Sequence, residues 1–168
     1  MTINQRILAA TLIVSCIFCG CQRATSSTEG ESVTTSSIPT PPSAEELARE
    51  GYVLPEFPRI TAQQLRQVLD SGKPCIIVDV RIAFFYDSGR IPGAINIPYE
   101  PNNPKPSAYL NLPKDRPIIF YADSEDDFDS AASASRLLKM DAGFKPENVM
   151  VLWKGYFWWK RLQYPTVT

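Results

Sequence analysis

The sequence predicts an α/β fold with a mostly parallel central sheet and helices on both faces. Two short, continuous apolar runs, Cys75 to Val80 and Pro117 to Tyr121, carry this prediction. Each has the length and the β-branched or aromatic content of a strand covered on both faces. The second run leads through a polar loop into an alanine-rich helical pattern, the alternation that makes parallel strands with crossover helices. The 168 residues suffice for one domain with a real core.

The elements follow in chain order. Ala44 to Glu50 has the pattern of a short helix, and Pro55-Glu56-Phe57-Pro58 reads as an extended lead-in. The domain proper starts near Ile60. Thr61 is placed to cap a helix, Leu65, Val68 and Leu69 have helical spacing, and Ser71-Gly72 stops it. After the strand at Cys75 to Val80 come a short helix from Ala83 to Ser88 and a brief strand from Ala94 to Ile97. Pro101 to Pro113 reads as a proline-rich loop. Asp129 to Ala142 forms a helix with Ala131, Ala134, Leu137 and Leu138 inward, and Gly143 ends it. Val149 to Leu152 is a strand, and Gly155 to Leu162 is a terminal helix.

The first 20 residues read as a targeting segment. Arg6 supplies a basic start, and Ile7 to Gly20 is an apolar run too short to span a bilayer comfortably. Ile17-Phe18-Cys19-Gly20-Cys21 looks like a bacterial lipobox, in which the cysteine after the cut is lipidated. Small Gly20 before the cut favours Cys21; Cys16 is the rival site, and an ordinary cleaved signal or an uncleaved anchor is the plainer alternative. Residues 21–43 then form a flexible tether, since Gln22 to Pro42 offers few apolar groups to offset the entropy of ordering. Residues 44–59 are the lead-in and 60–164 the domain. Cleavage before Cys21 leaves Cys75 as the one thiol outside the lipidation region, so no internal disulfide forms.

Composition excludes several classes of function. The net charge is -1 with no histidine, which removes imidazole as base, metal ligand or pH sensor. No clustered basic face points to nucleic acid. No motif calls for a cofactor.

Several motifs in the right order resemble the rhodanese-like family. They are Asp79-Val80-Arg81 after the first central strand, Gly89-Arg90-Ile91-Pro92-Gly93-Ala94, Ala142-Gly143-Phe144, and the Leu152 to Trp159 segment. Arg90 stands where the family usually has histidine, and Lys154 where it has a first glycine. The resemblance spans roughly Ile60 to Tyr164 and implies a three-layer sandwich. It also implies that the residue directly after strand residue Tyr121 is a nucleophilic cysteine carrying a persulfide. In this chain that residue is Ala122. The resemblance further implies an ion pair of Asp79 with Arg81 beside the loop; Arg90 is expected to approach the same rim.

The loop that follows is Ala122-Asp123-Ser124-Glu125-Asp126-Asp127-Phe128-Asp129-Ser130, with five carboxylates and no basic side chain. In active family members the backbone N–H groups of this loop and the next helix start form an anion cradle that lowers the thiol pKa. Carboxylates there repel thiosulfate, phosphate and thiolate alike. They also suit a helix N-terminus, so a capped helix start is the plain reading. Asp123, Glu125 and Asp127 offer oxygen ligands to a hard cation, but without the glycine and terminal glutamate of an EF-hand. Asp123 as a nucleophile lacks any partner histidine.

Two features remain. Cys75 is either a relocated sulfur carrier or a small core residue opening a strand. Trp153, Tyr156, Phe157, Trp158 and Trp159 form an aromatic run too dense to turn wholly inward. Trp159 is expected inward, which leaves Trp153 or Trp158 for a protein or membrane partner. The leading expectation is a lipid-anchored, extracytoplasmic module of the bacterial envelope that binds a protein at the loop rim or aromatic helix without turning over sulfur. The rival is an enzyme using Cys75 or the acidic loop.

Overall fold

Five strands hydrogen-bond side by side, all parallel: β1 (Arg59–Ile60), β2 (Ile76–Asp79), β3 (Ala94–Asn96), β4 (Ile118–Tyr121) and β5 (Val149–Leu152). Their order across the sheet is β1-β5-β4-β2-β3. This computed structural model describes residues 39–52, 54–102, 106–123, 128–140 and 143–168. The targeting segment with Cys16 and Cys21, most of the tether, and Ser124, Glu125, Asp126, Asp127 and Ala142 lie outside the described residues.

Period-two alternation assigns each strand side chain to one of two cores. On β4, Ile118 and Phe120 face one core while Ile119 and Tyr121 face the other. The first core is covered by α4 (Pro106–Leu110) through Tyr109 and by α5 (Phe128–Lys139) through Ala131, Ala134 and Leu137. The second is covered by α2 (Ala62–Asp70) through Ala62 and Leu65 and by α6 (Gly155–Arg161) through Tyr156 and Trp159. Tyr86 of α3 (Ala83–Ser88) joins this second core at its margin. The three layers of the predicted sandwich are therefore present, and both faces of the sheet are dry, which is why its strands read as unbroken apolar runs.

Local chemistry explains the element ends. Thr61 caps α2 reciprocally with Gln64: each side chain pairs with the other residue's backbone N–H. Ser43 and Glu46 do the same at α1 (Ala44–Arg49). Each such cap is worth about 1 kcal/mol.

Three details depart from the sequence expectations. Pro101 to Pro113 is not all loop, because α4 forms within it. Pro106 occupies the first helical position, which tolerates proline, and Tyr109 gains burial. The lead-in also supplies a strand, β1, too short to be seen as a periodic pattern, with Arg59 opposite Val151. On α5, Leu138 is only half-buried, at the flank of the stripe that Leu137 centres.

Candidate functional site

The sheet order creates a switch point. From β2 the chain goes to β3 on one side, then crosses to β4 on the other. Open α/β sheets bind ligands outside the carboxyl ends of the strands at such a point. Asp79 ends β2, Tyr121 ends β4, and the two are register partners. The residues that follow them, Val80-Arg81 and Ala122-Asp123, therefore meet over this crevice.

Arg81 doubles back onto the strand end. Its backbone N–H donates to Asp79 Oδ1 at 2.9 Å, a local turn that brings its side chain over the same carboxylate. Nε donates to both carboxylate oxygens at 3.0 and 3.1 Å, and Nη2 to Oδ2 at 2.6 Å. Nη2 also donates to the Gly89 carbonyl at 2.8 Å. The guanidinium carbon lies 4.1 Å from the Tyr156 ring centre. Asp79 is fully buried, and the Arg81 side chain is only 5% exposed. Burial works against the Arg81 charge, but the Asp79 hydrogen bonds and charge outweigh it and hold the guanidinium pKa above its usual value. The expected Asp79–Arg81 pair is thus present.

Neighbours complete this network. Burial, then the Asp79 charge and a hydrogen bond to Asp79, push the Tyr121 hydroxyl far above the usual tyrosine range. Its oxygen accepts from the Ile91 N–H at 3.3 Å. The Asn96 amide donates to the Asp79 and Arg81 carbonyls at 3.0 and 2.8 Å and so clamps the turn from β3. Sequence reasoning missed Asn96; its only signal was a polar residue closing an apolar strand. Gly89 leaves room for Tyr156, whose hydroxyl lies 2.9 Å from where a Cβ would stand.

Beside the network lies a cleft of about 220 Å³. Val80, Ile82, Phe85, Tyr99 and Ala122 form its apolar walls, and Arg81, Asp123 and Asp129 its polar ones. Ala122 is 4% exposed. Its carbonyl accepts from the Tyr156 N–H at 2.8 Å and that of Asp123 from the Phe157 N–H at 3.3 Å, so the start of α6 fixes this backbone. Asp123 Oδ1 lies 3.5 Å from Arg81 Nη1, a long contact from a side chain that is half exposed. Larger hollows exist, such as one of about 560 Å³ beside Arg59, Gln64 and Lys73. That one is lined mostly by α2 and the turn after it, with Arg59, Ile60 and Met150, and gathers no comparable set of groups.

The predicted site residues divide accordingly. Asp79, Arg81, Ala122, Asp123 and Asp129 come together. Phe128 packs edge-on against Tyr99, with ring centres 6.1 Å apart. Ser130 is buried on α5, and its hydroxyl has no hydrogen-bond partner among the described residues. Arg90 turns elsewhere: its guanidinium lies 4.4 Å from the Tyr86 ring centre, its backbone bridges to Val167, and it does not line the cleft. Of the three residues considered for a cation, only Asp123 falls among the described residues. No group of three or more Cys, Asp or Glu side chains suited to a metal occurs among the described residues.

Cys75 precedes β2, whereas the cleft follows it. From Cys75 to Val80 in the cleft wall is five steps along extended chain, about 16 Å. The thiol is half-buried against the second core, and burial raises its pKa.

The aromatic run is arranged differently from the expectation. Tyr156 and Trp159 turn inward, one helical turn apart, and the Trp159 indole N–H donates to the Pro165 carbonyl at 2.9 Å. Trp153 and Trp158 are not the exposed aromatics. Both are half-buried, with the Lys154 ammonium 4.8 and 4.6 Å from their ring centres. Phe157 is the exposed one, at 43%. Lys154 sits at φ 62°, the left-handed conformation glycine adopts most readily.

Known proteins agree with this architecture. The rhodanese-like domain profile matches residues 61–162. A Bacillus halodurans protein of known structure superposes with a TM-score of 0.56 at 25% identity, covering 73% of this chain and 85% of that one. The rhodanese-like domain of an Anabaena protein gives 0.52 at 32% identity, covering 66% and 78%. A thiosulfate sulfurtransferase from Pseudomonas aeruginosa gives 0.55 at 21% identity, with 74% of this chain matched to 22% of that one, a likeness of fold alone. No curated protein matches the chain. With the profile covering well over half of its length, this chain belongs to the rhodanese-like domain family.

Proposed function

We propose that this protein is a rhodanese-like binding module that does not turn over sulfur. In this reading Ala122 stands at the position of the family's sulfur-carrying cysteine. The observation that carries it is the alanine methyl in the cleft wall at the end of β4. A methyl can neither attack thiosulfate nor hold a persulfide. The carboxylates of Asp123 and Asp129 in the same wall disfavour an anionic substrate. Lipidation at Cys21, with Cys16 as the alternative, would hold the module at the envelope, outside the cytoplasm. The cleft rim and the exposed part of the aromatic helix would remain for a protein partner.

The test is thiocyanate release from thiosulfate and cyanide by the purified chain. The proposal expects background release only. Turnover that disappears in Cys75→Ser would contradict it and assign the nucleophile to Cys75.

A further inference from the structure

Beyond α6 the chain folds back on itself. Gln163 stands at φ 56°, a left-handed position that ends the helix. The Gln163 and Tyr164 N–H groups donate to the Lys160 and Trp159 carbonyls at 2.8 and 3.3 Å, which turns residues 164–167 away from the helix axis. The Tyr164 ring packs edge-on against Trp159, centres 5.0 Å apart, and the Pro165 carbonyl accepts from the Trp159 indole N–H at 2.9 Å. Val167 then pairs antiparallel with Arg90: its N–H donates to the Arg90 carbonyl at 3.0 Å, and its carbonyl accepts from the Arg90 N–H at 2.9 Å. Pro165, Thr166 and Val167 are exposed. A segment held at the surface by backbone hydrogen bonds, with little apolar burial, belongs to the part of a fold that opens first.

The point where this segment is anchored leads to the cleft. Arg90 follows Gly89, whose carbonyl accepts from Arg81 Nη2 at 2.8 Å. It precedes Ile91, whose N–H donates to the Tyr121 hydroxyl at 3.3 Å. The Tyr156 ring lies 4.1 Å from the Arg81 guanidinium carbon, and its hydroxyl is close enough to Gly89 to collide with an added Cβ. The Gly89–Arg90 backbone is therefore boxed in by Arg81 and Tyr156 on one side and by Val167 on the other. Among the described residues, Arg81 is the only cation in the cleft wall, and none of residues 164–167 lines the cleft. Any influence of this segment on the cleft must pass through Arg90 and Gly89.

We propose that residues 164–167 form a strap that positions Arg81 through the Arg90 backbone, and that releasing the strap loosens the cleft while the sheet stays folded. Val167 and Arg90 supply the fastening, and the Gly89 carbonyl passes it to the guanidinium. This holds whichever chemistry the cleft performs.

Hydrogen exchange followed by heteronuclear NMR, on the full chain in nonionic detergent, tests this. The rates to compare are those of the Arg90 N–H at the strap, the Arg81 Nε–H in the site, and the Ile119 N–H in the middle of the sheet. Deletion of residues 166–168 removes both bonds to Arg90, and Val167→Pro removes the donated one alone. Each is expected to speed exchange at Arg90 and at Arg81 Nε–H by about tenfold, the change that losing one or two hydrogen bonds produces. Ile119 should keep its parent rate. Val167→Ala retains the backbone pair and should match the parent at every position. Faster exchange at Arg90 with Arg81 unchanged overturns the proposal, because the strap then opens without moving the site. Equal acceleration at Arg81 and Ile119 overturns it as well, because the strap is then part of the global fold. So does parent-like exchange in the deletion, or a Val167→Ala chain that exchanges like the deletion.

Discussion

The Arg81 guanidinium closes on the Asp79 carboxylate, with Nη2 2.6 Å from Oδ2 and both side chains almost wholly out of solvent. Removing one partner leaves the other charged and buried, which costs about 3–5 kcal/mol. Asp79→Asn and Arg81→Met should each lower the unfolding free energy by about that amount. The double variant should lose clearly less than the sum, because it strands no charge. Urea titration of the three variants checks this; additive losses would mean that the pair is not a unit.

Gly89 and Tyr156 test the packing under this pair. A Cβ at position 89 would stand 2.9 Å from the Tyr156 hydroxyl, on a backbone with φ 153°. Gly89→Ala should destabilise by about 1–3 kcal/mol, the usual cost of overpacking. Tyr156→Phe in the same chain should recover part of that loss, because it deletes the colliding oxygen. Unfolding midpoints of the single and double variants measure the recovery.

Tyr121 gives a pH dependence with a definite sign. Burial, followed by the Asp79 charge and hydrogen bond, raises its pKa in the folded state. In the unfolded chain it titrates near about 10. Above that pH the unfolded state releases a proton that the folded state keeps, so stability falls as pH rises. The contribution is complete below about pH 10 and is lost above it. Between about pH 9 and about pH 11, the urea midpoint of the parent should fall more steeply than that of Tyr121→Phe. Tyr156 and Cys75, also shifted upward, contribute alike to both. Parallel curves would contradict the assignment.

Cys75 should be a poor nucleophile. Its thiol is half-buried, and burial raises its pKa. Peptide mapping after iodoacetamide treatment should show several-fold slower alkylation of Cys75 in native protein than in urea. Equal rates would revive it as a sulfur carrier.

Much of this fold was legible because buried parallel strands leave a plain trace. Cys75 to Val80 and Pro117 to Tyr121 marked β2 and β4 within a residue at their ends, and Thr61 marked the start of α2. The Asp79–Arg81 pair followed from the motif. What escaped notice depended on tertiary contact. β1 is two residues long and exists because β5 offers it an edge. α4 hides among prolines and is anchored by Tyr109. Arg90 was expected near the rim from its neighbourhood in sequence, but its side chain lies against Tyr86 and its backbone bridges to Val167. Trp153 and Trp158 are half-buried, with the Lys154 ammonium near both rings and Trp158 packed against the second core, contacts no spacing rule contains. The cleft wall brings Phe85 of α3 together with Tyr99 and Ala122, residues far apart in the chain.

On the proposed reading, a thiol introduced at position 122 does not confer sulfur transfer. In Ala122→Cys the new thiol would face Asp123 and Asp129 across the cleft, and nearby carboxylates raise a thiol pKa. Thiocyanate release by Ala122→Cys should remain at background. Robust turnover would contradict this electrostatic argument.

The most direct test of the central claim is the intact mass of the chain after incubation with thiosulfate and removal of excess reagent. A binding module without a sulfur-carrying residue should show no added sulfur, and cyanide should release no thiocyanate. A mass increase of one sulfur atom that cyanide removes, mapped to Cys75, would contradict the account.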